Sequence, residues 1–363
     1  MILEALSNAF GPSGCEGQVR QILIDAIKDQ VDEYRVDHLG NVIALQRGTE
    51  RVDKLKEFKV MVAAHMDEVG FMITHADESG MLHFVKVGGI DDRVLLAKVV
   101  RIGEKRIPGV LVSKPVHLTS PDERKKVIPA DQLVIDIGAN SKAEAEKLFT
   151  KGDYAVFDTC YEELGDVDAA HPDALHLVKG KAFDDRVGCA VLVEVVAQGP
   201  YPFDLYPVFT TMEEVGLRGA RVAGYSVMPD AAFVIEGTIC DDGPGDAARR
   251  GKDLSPTTEV GKGPAISVMD RSVIADRRLV RLVIETAEAE GIPYQFKQPG
   301  QGGTDAGAIH LAQTGVPTLP VSVPGRYIHS PVSVLSKADF ENTVRLMVAT
   351  LQRITPHVIA EWD

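Results

Sequence analysis

The sequence predicts an α/β fold: a mixed, mostly parallel sheet with helices on both faces, interrupted by an inserted small all-β domain. Helical and strand-like patterns alternate in the first 66 residues and again after residue 176, as expected when helices cover a parallel sheet. Between these parts, short β-like runs are separated by glycine and proline, which is typical of a small barrel or sandwich. The β-rich part is therefore interpreted as an insertion into one α/β domain.

The N-terminal part predicts two helices followed by three strands. Residues 14–31 place Val19, Leu23 and Ile27 at helical spacing. Residues 41–48 predict a strand, and residues 58–66 are almost continuously apolar, as in a central strand that is buried on both faces.

The β-rich insertion is expected over residues 68–176, so the α/β domain comprises residues 1–67 and 177–363. Inside the insertion only residues 141–149 predict a helix, with Ser141 as its N-cap. Four or more short β-like runs surround it, and their turn residues favour a compact all-β unit.

After residue 176 the α/β alternation returns. The predicted helices are residues 184–198, 218–227, 272–291 and 336–354, and the predicted strands are residues 204–212, 231–237 and 318–323. The helix over residues 272–291 has Asp270 or Ser272 near its start and Gly291 just past its end.

Composition excludes several classes of function. The 363 residues carry a net charge of −14, whereas nucleic-acid binding normally requires a basic patch. No apolar run approaches the ~18 residues of a membrane span, and the N-terminus lacks the basic and apolar regions of a signal peptide. We therefore expect a protein that binds neither nucleic acid nor membrane.

The four cysteines indicate a reducing compartment. Cys15, Cys160, Cys189 and Cys240 are far apart and form no C-x-x-C pair. This pattern fits reduced thiols better than a disulfide framework, and we expect a cytoplasmic protein.

Histidines and acids follow the ends of the predicted strands. These residues are His65, Asp67, Asp184, Asp185, Glu213, Glu214, Glu236 and His329. Each has an ordinary explanation by itself: a single histidine is usually structural, and an aspartate before a helix is usually an N-cap. The other histidines lack this position and are interpreted as structural: His38, His75, His83, His117, His171, His176, His310 and His357.

Together, these strand-end residues indicate a metal site. Ligand-binding residues of open α/β sheets lie at the carboxyl ends of strands, and imidazole with carboxylate suits zinc, cobalt or manganese. A metal would also explain the adjacent Glu213 and Glu214, which would repel each other at the end of a buried strand. One glutamate would bind the metal, and the other would act as general base toward water.

The chain resembles the TET-type dinuclear-metal aminopeptidases, which include glutamyl, leucyl and lysyl aminopeptidases and some members labelled cellulase M. The resemblance covers nearly the whole chain. The motifs that carry it are FGPSGCEG, HMDEVGFMI, GKAFDDRVGC, EEVGLRGA, GKGPAISVMDR, GGTDAGAIH and RYIHSPVSV. Their number and their order make the resemblance specific, although any one of them alone is weak.

The resemblance implies two divalent metal ions per chain, with zinc or cobalt favoured and manganese also compatible. It implies that His65 and Glu236 bind one ion and that Asp67 orients His65. Asp184 would bridge the two ions, and a cis peptide bond is expected between Asp184 and Asp185. Many members of the family have aspartate at the position of Glu236, so metal spacing or substrate reach could differ here.

For the second ion, the resemblance implies Glu214 and His329 as ligands, with Glu213 as general base. The implied substrates are short peptides, and the side-chain preference at the N-terminal residue stays open. Thr304 and Asp305 resemble the loop that lines the substrate pocket, although a tight turn before a helix is an equal alternative.

The resemblance also implies an assembly. The inserted segment resembles a PDZ-like barrel that forms dimers, and six dimers would build a hollow tetrahedral dodecamer. Three other functions stay open from the residues alone. They are a related dinuclear-metal amidohydrolase such as a deacylase or carboxypeptidase, a glycoside hydrolase that uses paired carboxylates, and a non-catalytic shell.

Overall fold

A large β-sheet and a separate closed β-barrel form the architecture of the chain. The computed structural model describes residues 2–49, 58–165, 176–243, 256–299 and 302–360. The sheet has eleven strands, and six further strands close into the barrel. The predicted fold class, an α/β fold interrupted by a small all-β unit, is therefore confirmed.

Helices and strands alternate outside the barrel. The strands are β1 (Glu33–Val36), β2 (Val42–Leu45), β3 (Lys59–His65), β4 (Gly70–Ala76), β5 (Leu82–Val87), β6 (Val99–Ile102), β7 (Ile107–Val112), β8 (Val134–Asp136), β9 (Tyr154–Phe157), β10 (Glu162–Glu163), β11 (Leu177–Gly180), β12 (Asp204–Thr210), β13 (Ala231–Cys240), β14 (Ala265–Ile266), β15 (Gln295–Phe296), β16 (Thr318–Arg326) and β17 (Ser333–Ser336). The helices are α1 (Ile2–Asn8), α2 (Gly17–Ile27), α3 (Lys142–Ala145), α4 (Phe183–Ala197), α5 (Arg218–Val227), α6 (Arg277–Glu290), α7 (Ala306–Ile309), α8 (Lys337–Arg353) and α9 (Pro356–Ala360). Among the described helices, none is both long and apolar enough to cross a bilayer.

The centre of the large sheet is parallel and its flanks are antiparallel. The strand order is β1-β2-β12-β3-β13-β16-β17-β11-β10, with β14 and β15 attached beside β16. Neighbours among β12, β3, β13 and β16 run parallel, whereas the outer pairs run antiparallel. The four parallel strands consequently deliver their carboxyl ends to one edge of the sheet.

Strand β3 is apolar between Lys59 at its start and His65 at its end, because both of its faces are covered. Val60 and Val62 join a core with helices α1, α2, α4, α6 and α8. Met61 and Ala63 point to the opposite face and join a second core with α5 and α7. Side chains alternate between faces in a strand, so burial of both faces removes the usual polar positions.

The barrel has its own hydrophobic core. Strands β4, β5, β8, β7, β6 and β9 close into a ring. Phe71 packs edge-on against Phe84 and Phe157, with ring centroids 5.1 and 5.3 Å apart. Strand β10, which follows the barrel in sequence, pairs with β11 in the large sheet. The predicted limits of the insertion at residues 68 and 176 stay a prediction.

The start of the long helix α6 corrects the sequence analysis. The expected start at Asp270 or Ser272 is wrong, because the helix begins after Asp276, whose side chain accepts from the backbone N–H of Arg278. Asp270 instead accepts from the backbone N–H groups of Ser272 and Val273, which closes a turn and not a helix. Gly291 ends α6 in the left-handed conformation, as predicted.

Two smaller expectations are confirmed. Ser141 caps the short helix α3 and accepts from the backbone N–H of Glu144. All four cysteines are free, with Cys189 and Cys240 buried, so no disulfide framework supports the fold.

A buried ion network joins the N-terminal segment to the sheet. Glu68, which lies three residues past the end of β3, accepts from the Lys181 ammonium at 2.6 and 2.7 Å and from the Arg186 guanidinium at 3.2 Å. Lys181 also donates to the carbonyl of Ala9, and Arg186 to that of Leu6. Burial lowers the pKa of Lys181 to about 8, against the charge of Glu68 that raises it.

Replacing Glu68 with glutamine should destabilise the protein strongly. The change would leave Lys181 and Arg186 buried without their anion, and loss of one partner from a buried pair typically costs about 3–5 kcal/mol. Urea unfolding followed by circular dichroism measures this loss. Asp122→Asn, in the exposed pair with Lys125, is the control and should leave the unfolding midpoint unchanged. Equal midpoints for both variants would contradict the structural role of the network.

Candidate metal centre

The predicted site residues converge at one edge of the large sheet. They are His65, Asp67, Asp184, Glu213, Glu214, Glu236 and His329. Strands β3, β12, β13 and β16 carry or lead into six of them, and α4 begins around the seventh, Asp184. Because these four strands are parallel neighbours, the residues that follow them meet at the same edge. The convergence expected from the sequence is therefore observed.

His65 lies at the centre of one half of the cluster. Its Nε2 atom is 3.2 Å from Oδ1 of Asp184 and 3.5 Å from Oε2 of Glu236. Oε2 of Glu213 lies 4.0 Å from the same nitrogen. The histidine side chain is almost fully buried, so these carboxylates face an imidazole that is shielded from solvent.

His329 lies at the centre of the other half. Its Nε2 atom is 3.3 Å from Oδ2 of Asp184 and 3.6 Å from Oε1 of Glu214. Its Nδ1 atom bonds to the carbonyl of Gly89 at 2.8 Å, in the segment that follows barrel strand β5. The preceding Gly88 has a φ of +84° and packs between Val69 and Glu214, because a Cβ atom built there would lie 2.8 Å from Val69 and 3.3 Å from Glu214. The barrel therefore contributes to the position of His329.

Asp184 and Asp185 are joined by a cis peptide bond, as expected. Asp184 directs one oxygen to each histidine. Asp185 points away and accepts from the backbone N–H groups of His65 at 3.1 Å and Gly188 at 3.0 Å. The bond to Gly188 agrees with the N-cap interpretation of Asp185, and the bond to His65 ties the start of α4 to the end of β3.

Asp67 holds several parts of the cluster together. The Nδ1 atom of His65 is 3.2 Å from the backbone carbonyl of Asp67 and 3.4 Å from its Oδ1 atom. The Asp67 carboxylate also accepts from the Ser13 hydroxyl at 2.6 Å and from the backbone N–H groups of Glu213 and Glu214 at 3.0 and 3.2 Å. Ser13 was not predicted, although it lies in the FGPSG motif that the sequence analysis singled out.

The two adjacent glutamates point to different histidines. Glu213 faces His65 and Glu214 faces His329, while both of their backbone N–H groups bind Asp67. Met212, which precedes them, has a φ of +55°, so the chain turns sharply at the end of β12. This separation reduces the repulsion that two neighbouring carboxylates would otherwise feel.

Burial and charge shift the pKa values of the cluster in opposite directions. Burial would lower the pKa of both histidines, but hydrogen bonds to Asp184 and the charges of the surrounding carboxylates together outweigh it. They raise the pKa of His329 to about 10 and that of His65 well above its usual range. Burial would raise the pKa of Asp184, but hydrogen bonds from both histidines hold it well below its usual value.

The other acids are shifted upward. Burial raises the pKa of Glu214 to about 7, against the attraction of His329. Burial also raises the pKa values of Glu213 and Glu236 well above the ordinary value. The positive charge of the two histidines alone therefore does not offset the effect of burial on the pKa values of these three acids.

Nitrogen and oxygen atoms of the cluster converge closely enough to hold metal ions. Three groups have such atoms within 4.8 Å of one another: His65 with Glu213 and Glu214, His65 with Asp185 and Glu236, and Asp184 with Glu214 and His329. Imidazole and carboxylate are suitable ligands for zinc, cobalt or manganese. Divalent cations would also neutralise the buried acids, so the residues present fit a metal centre.

A cavity of about 410 Å³ opens beside the cluster. Its walls include Asp184, Glu213, Glu214, Glu236 and His329. Gly302, Gly303 and Thr304 form the opposite side, together with Lys297. The sequence analysis did not identify Lys297, because it lies in no recognised motif.

Thr304 and Asp305 take different positions. Thr304 lines the cavity, as expected for the pocket loop, and the short helix α7 follows directly. Asp305 is fully buried beneath it, and its carboxylate accepts from the Thr210 hydroxyl. The backbone N–H of Asp305 reaches Oε1 of Glu236 at 3.4 Å. The turn before a helix is therefore observed, and the role of this segment in a substrate pocket stays a prediction.

The other described histidines lie outside the cluster. His75 and His83 stack on each other in the barrel, with centroids 4.4 Å apart. His310 bonds to the carbonyl of Ala306. His171 lies outside the described residues, so its structural interpretation stays a prediction.

A family model and several known proteins are similar to this chain over most of its length. A family model described as M42 glutamyl aminopeptidase matches residues 40–346. The chain is 34% identical over 365 residues to the lysyl aminopeptidase of Pyrococcus furiosus, covering 98% of this chain and 97% of that relative.

Two solved structures are similar along nearly the whole chain. One is a TET aminopeptidase from a marine sediment Thaumarchaeota archaeon, with 36% identity, a TM-score of 0.88 and coverage of 99% and 98%. The other is the Pyrococcus horikoshii TET1 peptidase, with 36% identity, a TM-score of 0.82 and coverage of 97% and 99%. It is described as assembling into a tetrahedron or a large octahedral shell.

The match of the family model over most of the chain carries the assignment, and the two solved structures extend it to the whole fold. The chain belongs to the M42 glutamyl aminopeptidase family, is of the TET type, and is a hydrolase with aminopeptidase activity.

Proposed function

We propose that this protein removes N-terminal amino acids from short peptides, with two divalent metal ions at the sheet edge and Glu213 as general base. The observation that carries the proposal is the position of Asp184, whose two oxygens lie 3.2 and 3.3 Å from the Nε2 atoms of His65 and His329. A carboxylate between two histidines is suited to bridge two ions.

The proposed ligands divide between two positions. His65, Asp184 and Glu236 would hold one ion, and Asp184, Glu214 and His329 the other. Zinc or cobalt is favoured by these ligands, and manganese is compatible. Glu236 is longer than the aspartate common in the family, but its Oε2 atom is within 3.5 Å of His65, which supports its role as ligand.

Proton transfer is the task of Glu213. When bound, the ions would supply Lewis acidity that activates water and polarises the scissile carbonyl. Glu213 accepts the proton of the attacking water and returns it to the leaving amine. Asp67 holds the Glu213 backbone N–H at 3.0 Å and thereby keeps the base in place.

We also propose the assembly that the solved relatives suggest. In this proposal, residues 1–67 and 177–363 form the catalytic domain and residues 68–176 the dimerisation domain. Six dimers then form a tetrahedral dodecamer in the cytoplasm. Exposed apolar side chains in the inserted segment support a contact surface there: Val85, Val116, Leu118 and Val127 are each more than half exposed.

The decisive experiment is hydrolysis of aminoacyl-p-nitroanilides before and after chelation. We expect release of p-nitroaniline that chelation abolishes and that zinc or cobalt restores, because the ions are required for the reaction. Acetylation of the substrate amine should block release, since the free amine is needed for binding at the centre. Release of p-nitroaniline from acetylated substrates alone would instead indicate an amidohydrolase that acts on N-acylated substrates.

Glu213→Gln should abolish turnover and leave metal binding intact. Loss of a general base typically costs about 10²- to 10⁴-fold in rate, and the proposed ligands are unchanged. Steady-state kinetics and metal analysis of the same sample measure both effects. Glu146→Gln, at an exposed position of the barrel, is the control. Turnover close to that of the wild type would remove Glu213 from this role.

Metal binding should release protons, and metal affinity should rise with pH. At about pH 8 His329 is protonated in the metal-free protein, because its pKa is about 10, and it must lose its proton to become a ligand. At about pH 6 Glu214, whose pKa is about 7, adds to the release. Titration calorimetry in buffers of different ionisation heat should find more protons released at the lower pH.

The variant His329→Ala tests the same linkage at one residue. It should bind one ion in place of two and lose one of the protons released near pH 8. His357→Ala, at an exposed position, is the matched control and should behave as the wild type. Retention of both ions by His329→Ala would exclude His329 as a ligand.

A further inference from the structure

Lys297 lies in the wall of the cavity beside the metal centre. It follows strand β15, and its backbone N–H donates to the carbonyl of Ile266 at 3.0 Å, which fixes its position against the sheet. The side chain is only 8% exposed, yet it lines the same cavity as Glu213 and Glu236. Lysine is rarely buried to this extent without an anionic partner.

No such partner exists within the described ranges. None of the described acids forms an ion pair with Lys297, and its ammonium group makes no hydrogen bond to them. Lys297 nevertheless lines the cavity. Lys181, which is buried to a similar degree, is in contrast fully paired with Glu68. Lys297 is therefore available to an anion that enters the cavity.

The charges of the cavity leave Lys297 uncompensated when metal is bound. The other charged wall residues are the four acids Asp184, Glu213, Glu214 and Glu236, and His329. Under the proposed function, two divalent ions carry as much positive charge as these four acids carry negative charge. The Lys297 ammonium then faces the space left for the substrate as a free positive charge.

We propose that Lys297 binds a carboxylate of the substrate and so selects acidic peptides. The proposal rests on the proposed function, because it requires a peptide in this cavity. The carboxylate is that of an N-terminal glutamate or aspartate side chain, or the C-terminal carboxylate of a dipeptide. A charge-assisted hydrogen bond in a largely buried pocket is strong. A substrate with a cationic N-terminal side chain would face a like charge and is disfavoured.

The first measurement compares the p-nitroanilides of glutamate and glutamine, which differ in charge but hardly in size. We expect wild-type kcat/KM to favour glutamate, and Lys297→Met to lower the glutamate-to-glutamine ratio about 10- to 100-fold, the range for a hydrogen bond to a charged group. Lys297→Arg should retain the preference. Lys262→Met, at an exposed position outside the cavity wall, is the matched control and should leave the ratio unchanged.

The second measurement examines the other source of the carboxylate. It compares hydrolysis of the dipeptide Leu-Gly with that of its C-terminal amide. If Lys297 binds the C-terminal carboxylate, Lys297→Met lowers the ratio for this pair and leaves the ratio for glutamate and glutamine unchanged. If neither ratio falls in Lys297→Met, the proposal is overturned. Lys297→Gln serves as a second neutral variant if the methionine variant does not fold.

The outcomes separate the two proposals. Hydrolysis with no effect of Lys297 overturns only the role of the lysine. If no peptide is hydrolysed, the proposed function fails, and titration calorimetry with glutamate, glutamine, Leu-Gly and its amide then decides on Lys297. Tighter binding of a charged compound than of its neutral counterpart, lost in Lys297→Met, supports the lysine site. Equal binding within both pairs overturns it.

Discussion

Asp184 lies between two imidazole rings, and both of its carboxylate oxygens are engaged, one toward His65 and one toward His329. The arrangement is demanding, because an acid and two histidines must meet in a largely buried place, where unpaired charge is costly. Four parallel strands satisfy the demand by ending at the same edge, and the turn before α4 brings in the aspartate. The cavity, the shifted pKa values and the paired glutamates all depend on this junction.

Asp67 connects the site around Asp184 to the surrounding segments through hydrogen bonds. Its carboxylate accepts from the N-terminal loop through Ser13 and from the end of β12 through Glu213 and Glu214. Three segments that are distant in sequence therefore share one buried acid. The neighbouring Glu68 also joins segments that are distant in sequence, because it forms ion pairs with Lys181 and Arg186. The N-terminal segment is consequently part of the support of the site, although it provides none of the proposed ligands.

The alternation of helices and strands predicted the fold class, and the residues at the strand ends predicted the site. Parallel strands must deliver His65, Glu213, Glu236 and His329 to one edge, so their convergence could be foreseen. The start of α6 could not be foreseen. Asp270 closes a turn and Asp276 caps the helix, but the sequence pattern around an aspartate does not distinguish these two roles. Lys297 was missed since its burial and its direction depend on packing against distant strands, which no local pattern records. The separation of Glu213 from Glu214 was expected in principle, but its means, the shared bonds to Asp67, required coordinates.

The hydrogen bond between Gly89 and His329 makes the barrel part of the structure that positions the site residues, and not an independent module. The carbonyl of Gly89 belongs to the inserted segment, yet it fixes the orientation of a histidine at the sheet edge. Gly88 beside it leaves little room for a side chain, since a Cβ atom built there would lie 2.8 Å from Val69 and 3.3 Å from Glu214. Protein engineering that exchanges this barrel for another must therefore keep the loop of Gly88 and Gly89 in place. The barrel and the sheet edge are to this extent one structural unit.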